Sequence, residues 1–245
     1  MNGERVIRQQ LAGQSVVVLG GSGGIGLEAA RRAREEGADV IVTARDPDRL
    51  QRVGVELGAS ISAFDLSDFD RLTRFFDHLP GPVDHVLVSG PGPNYVSFAD
   101  LDLGTIRDGV DRIVLSVQIA RLAKETLRPG GSLVLIGGTG GRRPSAGPLI
   151  SAVTAAMPAL ARSLALELAP SRVNVIAPGF VDTPLSATIL GEGLDARREQ
   201  LRTTLPIRRV VGPEDVAALA VNLMTNTAVT GATFDVDGGQ QLVEA

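Results

Sequence analysis

The sequence contains no cysteine, no tryptophan, one tyrosine and two histidines in its 245 residues. Without cysteine, neither a disulfide framework nor a thiolate metal site can form, and this composition favours a cytoplasmic location. The histidines, His78 and His85, stand apart from any acidic cluster, so we expect no metal site and interpret both as ordinary surface or edge residues. The net charge of -4 gives no electrostatic argument for binding nucleic acid or an anionic membrane.

Long hydrophobic runs are also missing from the chain. No apolar run reaches the roughly 20 residues that a membrane span needs, and the N-terminal MNGERVIRQQ lacks the apolar core of a signal peptide. Hydrophobic residues make up 44% of the sequence and charged residues 21%, which is ordinary for a soluble globular protein. We therefore expect no membrane association, and a chain long enough to bury a full core.

Short β-branched runs alternate with longer helical patterns along the whole chain. The runs lie at residues 15–20, 38–44, 59–64, 83–89, 131–137, 172–177 and 231–237. This alternation predicts an α/β fold: one Rossmann-like, doubly wound domain over residues 1–245, with a seven-stranded parallel sheet and helices on both faces. The segment 180–209 lacks strand character, and because such long excursions are usually lids or binding loops, we expect a substrate lid there.

The first predicted strand leads into LGGSGGIGLEAA, residues 19–30, which contains five glycines. Glycine lets the chain turn sharply and brings backbone N–H groups close to a ligand, while the following helix directs its positive end at a phosphate. A tight strand-to-helix turn without a ligand would also favour glycine. Because the cluster follows the first strand of a βαβ unit, we favour a dinucleotide site that includes Gly20.

The end of the second predicted strand indicates which dinucleotide binds. A site for NAD usually has an acidic residue there, whereas the 2′-phosphate of NADP prefers arginine. This chain has Ala44 at that position and Arg45 next, while Asp46 and Pro47 have the pattern of a helix cap followed by the first helical residue. We therefore predict NADP(H) as the cofactor; the alternative is that Arg45 is a solvated loop charge.

Several segments together resemble the short-chain dehydrogenase/reductase family, in that family's order and spacing, over essentially the whole chain. They are GGSGGIG, the pair Asp65–Leu66, SRVNVIAPGFVDTP at 171–184, GPEDVA at 212–217 and TGATFDVDGG at 230–239. The resemblance implies an oxidoreductase with a nicotinamide cofactor. It further implies that Ser22, Gly23 and Ile25 line the pyrophosphate, that Asp65 and Leu66 flank the adenine, and that Pro178, Gly179, Val181 and Thr183 hold the nicotinamide end.

Two turns depart from the family pattern without losing their geometry. The family's Thr-Gly at the start of the glycine motif is replaced by Leu19-Gly20. Its Asn-Asn-Ala-Gly after the fourth strand is replaced by Ser89-Gly90-Pro91-Gly92, which still predicts a tight turn. We therefore keep Ser89 and Gly90 in the predicted cofactor site.

The departures at the family's catalytic positions change the chemistry. The family's serine falls on Gly138, its helical asparagine falls at or beside Ile113, and its tyrosine and lysine fall on Ile150 and Thr154. The segment ALARSLALELAP fixes this register, and the only tyrosine of the chain is Tyr95. General acid catalysis is typically worth about a hundred- to ten-thousandfold in rate, so we expect poor reduction of ordinary ketones by the family's usual route.

Three functions fit this pattern. The first is an oxidoreductase that acts on a small carbonyl or imine substrate with Tyr95 as proton donor, although Tyr95 is about equally well explained as a loop aromatic that covers the pocket. Ser151 and Thr139 are weaker substitutes, and Thr154 retains the capacity to hydrogen-bond the cofactor ribose. The second function is an NADPH-binding pseudo-enzyme without turnover. The third is a non-redox isomerase or cyclase that uses the same pocket.

The segment SAGPLISAVTAAMPALARSLALELA is small and apolar over much of its length, and Pro158 lies inside it. The proline predicts a bend or an interruption of the helix. Family members commonly pair through this helix, and both it and the C-terminal TGATFDVDGGQQL resemble interface segments. We therefore expect a homo-oligomer, a tetramer or a dimer, with closed symmetry.

Overall fold

A computed structural model of the chain describes residues 9–90, 92–93, 96–142 and 147–243. Within these residues seven parallel strands form one sheet in the order β3-β2-β1-β4-β5-β6-β7. The strands are β1 Ser15–Leu19, β2 Asp39–Ala44, β3 Ser60–Ala63, β4 Val83–Val88, β5 Leu127–Ile136, β6 Arg172–Pro178 and β7 Thr233–Val236. The predicted doubly wound sheet is confirmed, although β5 begins four residues before its predicted start at residue 131.

Helices connect the strands and cover both faces of the sheet. Those described are α1 Gly24–Glu35, α2 Pro47–Leu57, α3 Phe69–Asp77, α4 Leu103–Thr126, α5 Pro148–Glu167, α6 Pro184–Leu190, α7 Leu194–Thr204 and α8 Pro213–Thr225. Successive side chains of a strand point to opposite faces, and accordingly Val16 and Val18 of β1 belong to one core while Val17 belongs to another. Helices α1, α2 and α8 contribute buried residues to the first core, and α3, α4 and α5 to the second.

The strand order reverses between β1 and β4, and this reversal positions the site. From β1 the chain continues outward to β2 and β3, and from β4 it continues in the other direction to β5, β6 and β7. Ligands of open α/β sheets bind outside the carboxyl ends of the strands at such a switch point. The N–H groups of Ser89 and Gly90 both donate to the carbonyl oxygen of Leu19, at 2.9 and 3.2 Å, so the two strand ends adjoin.

The interpretation of both histidines as surface or edge residues is wrong for His85. His78 is exposed, but His85 lies in the central strand β4 and is only 3% exposed. Its Nε2 lies 2.7 Å from Oε1 of Gln14, and its Nδ1 lies 2.8 Å from Oγ of Ser132. Burial is the main reason that the pKa of His85 is lowered to about 4. Of two smaller effects, Asp84 raises this pKa and Arg172 lowers it.

Two expectations about the apolar helix α5 need correction. Pro158 lies within α5 but does not interrupt it, because the helix continues from Pro148 to Glu167. By length and composition alone, α5 is also apolar enough to cross a membrane, so the statement that no segment reaches this threshold is wrong. A helix that packs on a core passes the same test, and α5 contributes Met157, Ala161 and Leu164 to the second core.

The predicted lid segment 180–209 is mainly helical. It comprises α6, a short 3₁₀ turn at Gly191–Gly193, and α7. Arg198 of α7 donates from Nε and Nη2 to the two carboxylate oxygens of Asp182, at 2.9 and 2.8 Å. This bidentate pair ties α7 to the chain that leaves β6.

Candidate active site

The glycine-rich turn is packed too tightly to accept side chains at its two ends. Gly20 has φ +89, and a Cβ there would lie 2.7 Å from the backbone nitrogen of Gly90. A Cβ on Gly26 would overlap the carbonyl oxygen of Gly20. Helix α1 begins at Gly24 and has neither a side-chain cap nor an acidic residue in its first turn. The amino end of α1 is therefore not neutralised by a side chain of its own cap or first turn, which suits phosphate binding.

The remaining predicted residues of this turn, Ser22, Gly23 and Ile25, are half-buried. Ile25 packs against the first core, which fixes the start of α1 on the sheet. A Cβ on Gly24 would come within 3.4 Å of Cγ2 of Thr183, so the turn meets the segment that follows β6. The structure thus places the turn that carries the predicted pyrophosphate residues in contact with one predicted nicotinamide residue, Thr183.

Arg45 follows β2 directly and is exposed, with Nη1 3.9 Å from Oδ2 of Asp65. The neighbouring acid is engaged elsewhere, since Oδ1 of Asp46 accepts a hydrogen bond of 3.0 Å from the N–H of Arg49 and caps α2. Pro47 is the first residue of α2, as predicted. A cation rather than a carboxylate is therefore available at the end of β2.

Asp65 and Leu66 follow β3, close to Arg45 and Gly90 respectively. Oδ1 of Asp65 accepts hydrogen bonds from the backbone N–H and the hydroxyl of Ser67, at 2.9 and 2.7 Å. The backbone hydrogen bond is the main cause of a lowered pKa of Asp65, with the Ser67 hydroxyl and Arg45 contributing in the same direction. Leu66 is buried, and its Cδ1 is 3.7 Å from the position of a Cβ on Gly90.

The segment after β6 is held by its backbone. The carbonyl oxygen of Pro178 accepts from the N–H of Thr139 at 3.0 Å, and the N–H of Gly179 donates to Val236 at 3.1 Å. Val181 forms an isolated bridge with Val211. Thr183 caps α6: its backbone N–H donates to the Ser186 hydroxyl at 2.8 Å, and its hydroxyl accepts from the Ser186 N–H at 3.4 Å.

Two of the three predicted positions of the family's serine, tyrosine and lysine, Gly138 and Thr154, lie in contact with each other. A Cβ on Gly138 would lie 3.3 Å from Cγ2 of Thr154, so the end of β5 contacts α5 at this residue. The hydroxyl of Thr154 donates to the carbonyl oxygen of Ile150 at 2.7 Å, which leaves it only its acceptor capacity for a ribose. Neither Gly138 nor Ile150 has a proton to transfer.

The two predicted catalytic residues have different outcomes. Tyr95 lies outside the described residues. Ser151 is half-buried on α5, and its hydroxyl donates to the carbonyl oxygen of Gly140 at 3.3 Å. This bond links α5 to the short helix Gly140–Arg142 beside the crevice. A catalytic role for either residue stays a prediction.

Two arginines near the predicted cofactor residues were not identified from the sequence as site residues. Nη2 of Arg112 donates to the carbonyl oxygen of Ile136 at 3.0 Å, which places a guanidinium at the end of β5. Arg112 directly precedes Ile113, and the family's helical asparagine is expected at or beside Ile113. This neighbouring position is the sequence feature that could have pointed to Arg112. Arg49, in the first turn of α2, lies against Gly23 of the glycine-rich turn. Its signal was the sequence RDPDR, in which a second arginine follows Arg45 four residues later.

Metal-binding groups do not form a cluster in the part of the chain that the structure describes. There, no group of three or more histidine, cysteine, aspartate or glutamate side chains is arranged to hold a metal ion. The chemical groups that do converge on the crevice are backbone N–H donors, hydroxyls and guanidinium groups, which are suited to phosphate and ribose oxygens.

Comparisons with known proteins agree with this geometry. The family model described as enoyl-(acyl carrier protein) reductase matches residues 20–241. Dehydrogenase/reductase SDR family member 4 of Sus scrofa is 31% identical, over 95% of this chain and 88% of that protein.

Two solved structures share the fold across nearly their whole length. The MalC reductase/Diels-Alderase of Malbranchea aurantiaca has a TM-score of 0.86 at 26% identity, and the match covers 96% of this chain and 99% of that one. BdcA in complex with NADPH has a TM-score of 0.85 at 28% identity, over 96% and 98% of the two chains. With the family match covering most of its length, this chain belongs to the short-chain dehydrogenase/reductase family of oxidoreductases.

Proposed function

We propose that this protein is an NADP(H)-dependent oxidoreductase that acts on a small carbonyl or imine substrate through an atypical active site. The observation that carries the proposal is the contact at which Gly24 of the glycine-rich turn meets Thr183 of the nicotinamide segment. A dinucleotide has to span these two segments, with phosphate on the turn and nicotinamide beside β6. The bound cofactor would supply the hydride.

The preference for NADP(H) rests on the end of β2. Arg45 is exposed there, and Asp46 is engaged as the cap of α2. A guanidinium suits a phosphate monoester, whereas the ribose 2′-hydroxyl of NAD is usually bound by a carboxylate at this place. The NADPH complex of BdcA, a structural relative, supports the same cofactor.

The substrate class follows from Gly138, Ile150 and Thr154, the predicted positions of the family's serine, tyrosine and lysine. Because these residues have no acid to donate, an electrophile that needs little proton assistance, such as an activated dicarbonyl or a cyclic imine, is the better substrate. We assign the proton that a carbonyl does need to Tyr95, with Ser151 as the weaker candidate. Pro178, Gly179, Val181 and Thr183 position the nicotinamide end, and Thr154 accepts from the ribose.

The first experiment measures cofactor affinity. NADPH and NADH are titrated against the wild type and Arg45→Ala, and we expect NADPH to bind more tightly. Removal of Arg45 weakens NADPH by roughly 1.5–3 kcal/mol if its phosphate contacts are charge-assisted hydrogen bonds. Equal affinities, or a preference for NADH, contradict the NADP(H) assignment.

The second experiment measures turnover with deuterated NADPH on ketones, activated dicarbonyls and cyclic imines. We expect deuterium transfer, fastest to activated or cationic electrophiles, and a loss of at least about tenfold on carbonyls in Tyr95→Phe. Unchanged rates in Tyr95→Phe remove Tyr95 from the mechanism. Tight NADPH binding without transfer to any substrate would instead support the pseudo-enzyme or the non-redox enzyme.

We also propose that the protein works as a homo-oligomer. Helix α4 exposes an apolar stripe with spacings of three and four residues, formed by Leu103, Ile106, Val110, Val114 and Val117. Helix α5 packs beside α4 and exposes Leu166. A second copy of the chain would cover this surface, and light scattering at micromolar concentration distinguishes the oligomer from a monomer. A cytoplasmic location stays a prediction.

A further inference from the structure

The first residues of α6 contact the turns that follow β1 and β4. Cγ2 of Thr183, the cap of α6, lies 3.4 Å from the position of a Cβ on Gly24, in the glycine-rich turn. Cδ2 of Leu185 lies 2.6 Å from the position of a Cβ on Gly92, in the turn after β4. Because the strand order reverses between β1 and β4, the start of α6 lies over the point where ligands of such sheets bind.

The side chain of Leu185 is accessible although it touches the turn after β4. It is 43% exposed, and Ile189, four residues later on the same helix, is 41% exposed. Residues four apart share one face of a helix, so the two side chains form an apolar strip along α6. Since Leu185 directs this face toward Gly92, the strip borders the opening between α6 and the turn after β4.

The two helices of the predicted lid differ in charge. Helix α6 has no charged residue, whereas five of the eleven residues of α7 are charged. The charges of α7 are partly paired: Arg198 binds Asp195 on its own helix and Asp182 before α6. The face of the lid nearest the switch point is therefore the uncharged one, and its exposed leucine and isoleucine gain stability when an apolar ligand removes them from water.

We propose that the substrate is apolar and uncharged beyond its reacting carbonyl or imine group, and that Leu185 and Ile189 select it. This inference rests on the proposed function, since it names the substrate class of the same site. An alkyl or aryl part of the substrate would lie against the strip and bury it. A carboxylate placed there would lose hydration without gaining a hydrogen bond from either side chain.

The test compares substrates that share a reacting group and differ in chain length or charge. Initial rates with saturating NADPH are measured for the vicinal diketones from butanedione to octanedione and for the oxo acids of equal length. We expect kcat/KM of the diketones to rise about fourfold for each methylene that the strip covers. The diketones should exceed the oxo acids of equal length by at least about tenfold.

Leu185→Asn keeps the approximate size of the side chain and removes its apolar character. We expect the gain in kcat/KM per methylene to fall below about twofold, with the dissociation constant of NADPH unchanged. Ile189→Asn should act in the same direction. Val55→Asn is the matched control, because Val55 is an apolar residue on α2 that is 75% exposed, and it should keep the chain-length dependence of the wild type.

Gly92→Ala tests the same contact from the opposite side. Gly92 does not have a positive φ, so alanine fits its backbone, but the added methyl group would take the space of Cδ2 of Leu185. Leu185 must therefore move away from the turn. We expect the KM of octanedione to rise at least about fourfold, which corresponds to the loss of one methylene contact, while the KM of butanedione stays unchanged.

A binding measurement separates this inference from the proposed function. The NADP⁺ complex is titrated with unreactive amides from acetamide to hexanamide, and we expect the longer amides to bind more tightly to the wild type but not to Leu185→Asn. Affinities and rates that do not depend on chain length in the wild type, a preference for oxo acids, or an unchanged dependence in Leu185→Asn would overturn the apolar substrate class. Chain-length-dependent amide binding without hydride transfer to any substrate would support the apolar site and reject the proposed oxidoreductase.

Discussion

The carboxyl ends of the strands divide into two regions that use different kinds of groups. The nucleotide region, at the ends of β1, β2 and β4, consists of tightly packed glycine turns with Arg45 and Arg49 beside them. The chemical region, at the ends of β5 and β6, contains Gly138, Ile150 and Thr154, which are the predicted positions of the family side chains that transfer or assist a proton. On these predicted assignments, the first region keeps the family's means of binding, and the second lacks its means of proton transfer.

This difference follows from the physics of the two tasks. Phosphate binding is distributed over backbone N–H groups and a helix terminus, so it depends on turn geometry and tolerates changes in individual side chains. Proton transfer depends on one group of suitable pKa within hydrogen-bond reach of the reacting atom. A single substitution therefore removes the second property, and many would be needed to remove the first.

The largest expected effect comes from restoring the acid in the chemical region. Residues 150 and 154 are one helical turn apart on α5, so Ile150→Tyr with Thr154→Lys places both side chains on one face. The ammonium would lower the tyrosine pKa from its reference of about 10. We expect the reduction of a simple ketone to rise about a hundredfold, measured by initial rates with saturating NADPH.

Two controls keep this comparison specific. Thr154→Lys alone should give little gain, because it adds a charge without a proton donor. NADPH affinity should stay within about threefold of the wild type in all variants. A double variant that folds and binds NADPH yet stays as slow as the wild type would show that the chemical region lacks more than its acid.

The backbone of both regions could be predicted from the sequence. The runs at 83–89 and 172–177 coincide within one residue with β4 and β6, because valine and isoleucine recur along both strands. The glycine turn was recognisable from its place after β1, and the capping role of Asp46 from the proline that follows it. These features depend on neighbours in the sequence, which is why local patterns suffice for them.

The contacts that were missed join residues distant in the sequence. Arg49 meets Gly23 only after α2 folds back on the sheet, and Arg112 meets Ile136 only when α4 packs beside β5. His85 was assigned to the surface because the alternation in VDHVLVS does not show that β4 becomes a central strand with both faces covered. No local pattern carries this information.

Acidification should lower the stability of the fold through His85, which lies toward the amino ends of the strands and outside both regions. His85 has a folded pKa of about 4 against a usual value of 6.5, so its neutral form stabilises the native state above pH 6.5. That stability is lost as pH falls from 6.5 towards 4, because the unfolded chain takes up the proton first. Between about pH 7 and pH 5 we expect the free energy of unfolding to fall by about 2 kcal/mol from this group.

Urea unfolding at the two pH values checks this prediction. The quantity compared between variants is the difference in unfolding free energy between the two pH values, not the stability at either one. His85→Gln should remove about 2 kcal/mol of that difference even if it lowers stability at both pH values. His78→Gln is the control, because His78 is exposed at the end of α3. If the wild-type difference in unfolding free energy between the two pH values persists in His85→Gln, its assignment to His85 is wrong. Groups in the two regions at the carboxyl ends of the strands would then have to be tested as its source.

The smallest expected effect concerns the border between the two regions, where Asp182 stands between Val181 and Thr183. Arg198 binds this carboxylate in bidentate fashion and so ties α7, part of the predicted lid, to the segment after β6. The pair is partly exposed, with about a third of each side chain accessible, and such pairs are weak. Arg198→Ala should therefore raise the KM of the best substrate by only about threefold and leave the dissociation constant of NADPH unchanged.

Arg202→Ala is the control, because it breaks an exposed pair with Glu199 on the same helix and should change neither value. If Arg198→Ala weakened NADPH as much as it raised KM, α7 would belong with the nucleotide region, and the boundary between the two regions would have to be moved beyond residue 198.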